Sequence, residues 1–150
     1  MIARVLVAVD SADDLPLVDA ACALAQEHRA TLEIVGGIAR AAPTVALVAC
    51  PRALNAELEC YSRAVLCDAV RRVPPDLPVV WRQVRGCARR QVLHGADDDD
   101  TRLVMVRRLP WWARGALRRR LRRLVVVPDA PSARSSEAPV TVPEGAGTPA

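Results

Sequence analysis

Short apolar runs, separated by segments with helical spacing, organise the first 128 residues of the chain. A run of this length without strict alternation is typical of a strand covered on both faces, as in the centre of a parallel sheet. The third run contains polar residues, which favours a position at the edge of the sheet. The five predicted strands are Val5–Val9, Thr31–Ile38, Val79–Val84, Leu103–Val106 and Leu124–Val127.

Helical patterns fill four of the connections. Asp13 or Asp14 can cap the first helix, which carries Pro16 in its first turn and ends near His28. The pattern of residues 39–51 does not distinguish a short strand from a buried loop. The other three helices are predicted from Pro51 to just before Pro74, from Ala88 to Ala96, and along the stripe Leu117, Leu121 and Leu124. The inward positions predicted for the helix that begins at Pro51 are Leu54, Leu58, Tyr61, Val65 and Ala69.

Alternating strands and helices predict an α/β fold. With right-handed crossovers this becomes an open five-stranded parallel sheet in the order 3-2-1-4-5, with helices on both faces. Ligands of such sheets bind beyond the carboxyl ends of the central strands, and Asp10 and Ser11 stand directly after the first strand. We expect one domain over residues 1–128. The Pro- and Ala-rich residues 129–150 are expected to be a disordered tail.

Composition and charge narrow the function classes. The formal charge is +4, and residues 107–123 hold eight arginines and no acid. No apolar stretch approaches the roughly 20 residues of a membrane span, and no signal peptide pattern opens the chain, which favours a cytoplasmic protein. The five cysteines lack CxxC spacing, so neither a disulfide framework nor a zinc site is indicated. Cys22 and Cys67 fall in helical patterns as small apolar fillers.

No arrangement of side chains typical of an enzyme stands out. The two histidines are isolated, and no nucleophile, base and acid recur at a recognisable spacing. The adjacent carboxylates Asp97–Asp100 lack the alternating spacing of a calcium loop. We therefore expect neither catalysis nor a bound metal.

Three segments together resemble the universal stress protein family. They are Val5–Ser11 with the helix and strand that follow, Leu103–Val106, and Leu124–Pro128. The resemblance covers roughly residues 2 to 128 and implies a Rossmann-like domain, often dimeric, that is linked to bacterial stress responses. One branch of this family binds ATP and another does not.

The resemblance also implies where ATP would bind and why this chain departs from that pattern. Asp10 matches the aspartate that contacts the adenine side of the nucleotide. The family's glycine motif after strand four, which is GxxG, nine further residues, and then Gly with Ser or Thr, is missing. Arg107 stands in place of its first glycine, and Gly115 is the only glycine between strands four and five. Bare backbone N–H groups must close on phosphate oxygens, and large side chains and Pro110 prevent this. No cofactor is therefore expected.

Several alternatives stay open from the sequence. Asp10 is either a ligand contact or a cap for the helix that follows, and we favour the cap. Arg107 and Arg108 either bind a phosphate through their charge or are solvated at the mouth of a crevice that binds no ligand. The primary hypothesis is a stress protein that binds no nucleotide and acts through an unknown protein partner and a homodimer formed by Leu124–Val127. The alternatives are an adenine-nucleotide sensor, and an Arg-rich helix that binds nucleic acid or anionic membrane, which we disfavour.

Overall fold

The computed structural model describes residues 1–40, 50–95, 102–107 and 124–127. Strands and helices alternate over these residues, apart from a short 3-10 turn at Ala12–Asp14. The strands are β1 (Arg4–Val9), β2 (Thr31–Ile38), β3 (Val79–Arg85), β4 (Arg102–Arg107) and β5 (Leu124–Val127). The described helices are α1 (Leu15–His28), α2 (Pro51–Arg71) and α3 (Ala88–Gly95).

The strands form one sheet in the order β3-β2-β1-β4-β5, and every pairing is parallel. The predicted parallel α/β fold and the order 3-2-1-4 of the first four strands are confirmed. At the far side, β5 lies parallel to β4 with Leu124 opposite Val104. The third strand lies at the opposite edge, as its polar residues predicted.

Two separate apolar layers cover the sheet. Residues of β1 alternate between them, because successive side chains of a strand point to opposite faces. Val5, Val7 and Val9 pack on one face against buried residues of α1 and α2. Leu6 and Ala8 pack on the other face against α3, whose Val92 is buried. The sheet therefore has helices on both faces, and β1 is buried at its centre.

The start of α1 differs from the prediction. Asp14 precedes the helix, but its carboxylate makes no capping hydrogen bond to α1. It reaches back to the main chain of residues 10 and 11 instead. Pro16 lies in the first turn as expected, and the helix ends at Arg29, which has a left-handed φ of 52°.

Two side chains of α2 lie outside the stripe assigned to them. The buried residues of this helix are Ser62, Val65, Leu66 and Ala69, so the buried stripe lies in its second half. Tyr61, predicted to face inward, is 49% exposed. Cys67, predicted as an apolar filler, is also exposed, whereas the same prediction for Cys22 is confirmed.

Several predictions lie outside the described residues. They concern residues 41–49, the aspartates 97–100, the tail 129–150, and the segment 108–123 with Arg108 and the Arg-rich helix. In the part of the chain that the structure describes, no helix combines the length and apolar character that crossing a bilayer requires.

Candidate functional site: the crevice at Asp10

The Asp10 carboxylate caps the N-terminus of α3. Its Oδ1 accepts a hydrogen bond from the Ala88 N–H at 2.5 Å, and its Oδ2 accepts one from the Arg89 N–H at 3.2 Å. The Cys87 thiol lies 3.3 Å from Oδ2. The first N–H groups of a helix lack partners within the helix and favour a negative charge, so this carboxylate satisfies both needs. The prediction that Asp10 caps the following helix is therefore wrong, because Asp10 caps α3 and not α1.

The absence of a side chain at Gly37 makes this contact possible. A Cβ added there would collide with Asp10 Oδ1 and would lie 2.7 Å from both Ala88 N and Gly86 O. Real Cβ atoms do not approach backbone this closely, so only glycine fits. Gly86, at φ 92°, turns the chain from β3 toward α3, and its N–H donates to the Ile38 carbonyl at 2.9 Å.

Asp14 fixes the loop that follows β1. Its Oδ2 accepts hydrogen bonds from the Asp10 N–H at 2.8 Å and from the Ser11 N–H at 3.1 Å. The next N–H, of Ala12, donates to the Tyr61 hydroxyl at 3.2 Å. The loop is thus held both by its own carboxylate and by α2, and it presents the Asp10 side chain to α3.

Arg107 lies at the end of β4 and lines the same crevice as Asp10. Its Nη1 is 3.7 Å from Asp13 Oδ2 and 3.7 Å from Asp14 Oδ1, and its side chain is 24% exposed. Its carbonyl oxygen accepts a hydrogen bond from Arg89 Nη1 at 3.3 Å. Arg107 is therefore paired with acidic residues of the β1 loop and is not fully solvated, and its contact with a phosphate stays a prediction.

These residues surround an open cavity of about 490 Å³ at the carboxyl ends of the strands. That volume lies within the usual range for a small-molecule site. The charged residues in its wall are three acids and three arginines: Asp10, Asp13, Asp14, Arg40, Arg89 and Arg107. Such a mixed lining suits a compact polar ligand better than a highly charged anion, which the carboxylates would repel.

The structure brings most of the predicted site residues together. Asp10, Ser11 and Arg107 line one crevice, while Arg108 lies outside the described residues. Sequence reasoning missed Gly37, Arg40 and the start of α3. Over residues 1–40, 50–95, 102–107 and 124–127, no group of three or more His, Cys, Asp or Glu side chains forms a metal site.

Comparison with solved structures finds a universal stress protein crystallised in complex with cAMP. The alignment covers 87% of this chain and 100% of the other, with 18% identity and a TM-score of 0.53. No protein-family model and no curated protein matches the sequence. At this level of identity the similarity concerns the fold: the chain has a parallel α/β fold similar to that of a universal stress protein.

Proposed function

We propose that this protein is a universal stress protein-like domain of the branch that does not bind ATP, and that it acts in a stress response through dimerisation and protein partners. It is not an enzyme in this proposal, and it works in the cytoplasm. The shared fold supports the family. The polar contacts of the crevice support the absence of ATP binding, and the position of β5 as the terminal strand of the described sheet supports the dimer.

One observation carries the proposal: the Asp10 carboxylate already serves as the anion at the N-terminus of α3. Two backbone N–H groups and the Cys87 thiol already use three of the roughly four accepting positions of this carboxylate, so little accepting capacity is left for a nucleotide. A carboxylate at this position also repels phosphate groups that approach α3.

The sequence after β4 supports the same conclusion. Arg107 replaces the first glycine of the family's phosphate motif, and residues 108–112 are Arg, Leu, Pro, Trp and Trp. A triphosphate needs several bare backbone N–H groups at close range, and this segment offers bulky side chains and a proline instead. The ion pairs of Arg107 with Asp13 and Asp14 further reduce its positive charge toward a ligand.

Thermal denaturation tests the proposal directly. A ligand present at a free concentration of 100 times its dissociation constant would add about 2.7 kcal/mol to the free energy of unfolding. We expect millimolar ATP with magnesium to leave the melting temperature of the wild-type protein unchanged. A saturable rise in melting temperature that Asp10→Ala abolishes would contradict the proposal and favour an ATP sensor.

A second candidate is binding of a compact adenine nucleotide in the same crevice. Its specific support is the open cavity of about 490 Å³ with Arg40 and Arg89 in its wall. The similar universal stress protein was crystallised with cAMP. A cyclic monophosphate carries a single charge and needs fewer donors than a triphosphate does.

Calorimetric titration with cAMP distinguishes this candidate from the first. If cAMP binds, Arg89→Gln should weaken its affinity, while Arg90→Gln should not, because Arg90 is the exposed neighbour on α3 and does not line the crevice. The primary proposal expects no heat of binding from either nucleotide. The third possibility, a basic module acting through the arginines of residues 107–123, stays a prediction outside the described residues, and its sign would be a steep loss of DNA affinity with added salt.

A further inference from the structure

A second concavity lies between α2 and the edge strand β3, away from the crevice and on the face opposite α3. Its volume is about 590 Å³. Leu66 and Val70 of α2 form apolar wall, and Trp81 of β3 stands beside them with 57% of its surface exposed. A large aromatic side chain left this open beside an apolar groove provides contact area for a hydrophobic ligand.

The groove also holds a polar atom without a partner. Gln83 lies two residues from Trp81, so both side chains are on the same face of β3. Its Nε2 atom is shielded from solvent and makes no hydrogen bond to any described residue. A buried donor that lacks an acceptor is unfavourable, and rotation of the Gln83 side chain toward the groove would let this atom donate to an oxygen of a bound molecule.

The charged residues that line the groove are both cations. They are Arg63 and Arg71 on α2, and no acidic side chain is among the described residues that line the groove. Each arginine is held by an exposed carboxylate of the same helix, Arg63 by Glu59 at 2.5 Å and Arg71 by Asp68 at 3.2 Å. Exposed pairs of this kind contribute little to stability, so the anion of a ligand can compete for these guanidinium groups.

We propose that the groove between α2 and β3 binds a small amphipathic carboxylate, with its chain or ring on Leu66, Val70 and Trp81. The carboxylate lies toward Arg63 and Arg71, and one of its oxygens accepts from Gln83. Charge complementarity selects this class of ligand, since a neutral apolar molecule would leave both the cations and the Gln83 donor unused. This inference does not depend on the function proposed for the Asp10 crevice.

Two cysteines of α2 provide a readout with an internal control. Cys67 lines the groove, whereas Cys60, seven residues earlier on the same helix, does not, and both are exposed. The probe is octanoate, with octan-1-ol as its neutral counterpart, and the rate of alkylation by iodoacetamide is followed at each cysteine by peptide mass spectrometry. We expect octanoate to slow the alkylation of Cys67 several-fold and that of Cys60 not at all, with much weaker protection by octanol.

Substitutions at the surface then separate the contributions. The double variant Arg63→Gln/Arg71→Gln should lose most of the protection, and Gln83→Leu should reduce it for octanoate only. The matched control Arg52→Gln/Arg90→Gln removes two exposed arginines outside the groove. In this variant octanoate should protect Cys67 as strongly as it does in the wild type. Equal slowing of both cysteines, equal protection by octanol, or loss of protection in the control variant would overturn the proposal.

Discussion

The Asp10 carboxylate and the Ala88 N–H form the hydrogen bond that joins the end of β1 to the start of α3, at 2.5 Å. The two residues are 78 positions apart in the chain. The bond places an internal negative charge where the dipole of α3 favours an anion. The crevice floor thus contains a carboxylate that already accepts hydrogen bonds within the protein.

The contact between Asp10 and α3 should be sensitive to any side chain at position 37. In Gly37→Ala the new Cβ would collide with Asp10 Oδ1 and crowd the Ala88 nitrogen. Overpacking of this kind costs about 1–3 kcal/mol, and we expect a loss of unfolding free energy in that range. Urea denaturation followed by circular dichroism measures it.

Gly36→Ala is the matched control for that substitution. Its Cβ would meet only side-chain atoms of Leu66, at 3.1–3.4 Å, so a shift of a few tenths of an ångström relieves the contact. We expect a loss of about 1 kcal/mol or less. Equal losses for the two glycine variants would mean that the close approach of Asp10 and Ala88 at Gly37 does not determine the cost.

Removing the Asp10 carboxylate should loosen α3 selectively. Asp10→Ala takes away the acceptor of two backbone donors, and loss of a cap costs about 1–2 kcal/mol. Asp10→Asn keeps one accepting oxygen and loses the charge, so its cost should be smaller. Hydrogen exchange at the Ala88 and Arg89 amides checks this, with faster exchange expected in Asp10→Ala. Unchanged protection of both amides in Asp10→Ala would contradict the capping role.

The pattern of apolar runs predicts the fold because a short run that is apolar at every position fits few structures other than a buried parallel strand. Val5–Val9 is apolar at every position since both faces of β1 are covered, and the polar residues of β3 reflect its place at the edge. The prediction was weaker for α2, where Tyr61 is 49% exposed instead of buried in the core. There its hydroxyl accepts from Ala12 instead, a contact between distant segments that helical spacing does not reveal.

The partner of Asp10 could not be read from local patterns. A carboxylate directly before a helix favours a cap on that helix, and such a local rule assigned Asp10 to α1. The strand order contains a better signal, because β3 and β4 are separated by β2 and β1, so the α3 connection must cross the end of β1. Gly37 gave a second signal, as a glycine in a strand often marks a close approach of backbone.

The Cys22 thiol should make stability fall at alkaline pH. Burial, with a further contribution from the Asp19 charge, raises the pKa of this thiol above its ordinary value. The folded state therefore resists deprotonation more than the unfolded state does. The contribution of Cys22 is fully present below the ordinary thiol pKa, and it is lost as the pH rises through the raised pKa of the folded protein.

The urea midpoint measured between pH 7 and pH 10 under reducing conditions tests this effect. Cys22→Ala should flatten the alkaline decline, although it lowers stability at neutral pH by removing a buried sulfur. Cys60→Ala, which removes an exposed thiol, should leave the decline as in the wild type. A decline of equal steepness in Cys22→Ala would contradict the assignment to Cys22.

The last prediction concerns assembly through β5. Leu124–Val127 is the terminal strand of the sheet in the described residues and pairs with β4 on one side. Its four residues are apolar and strongly β-forming, and an open edge of this kind favours pairing with another chain. Two copies that pair antiparallel about a two-fold axis would cover both edges. Light scattering at micromolar concentration should therefore give the mass of a dimer.

Two proline variants separate dimer loss from unfolding of the strand. Successive N–H groups of an edge strand point in opposite directions, one toward β4 and the next toward the open side. Val125→Pro and Val126→Pro each remove one donor, so one variant should weaken the ladder with β4 and lower the melting temperature. The other variant should lose only the donor on the side away from β4. We expect it to be monomeric in light scattering and to keep a nearly unchanged circular dichroism spectrum. A wild-type chain that is monomeric, or a dimer that survives both substitutions, would show that β5 does not form the interface.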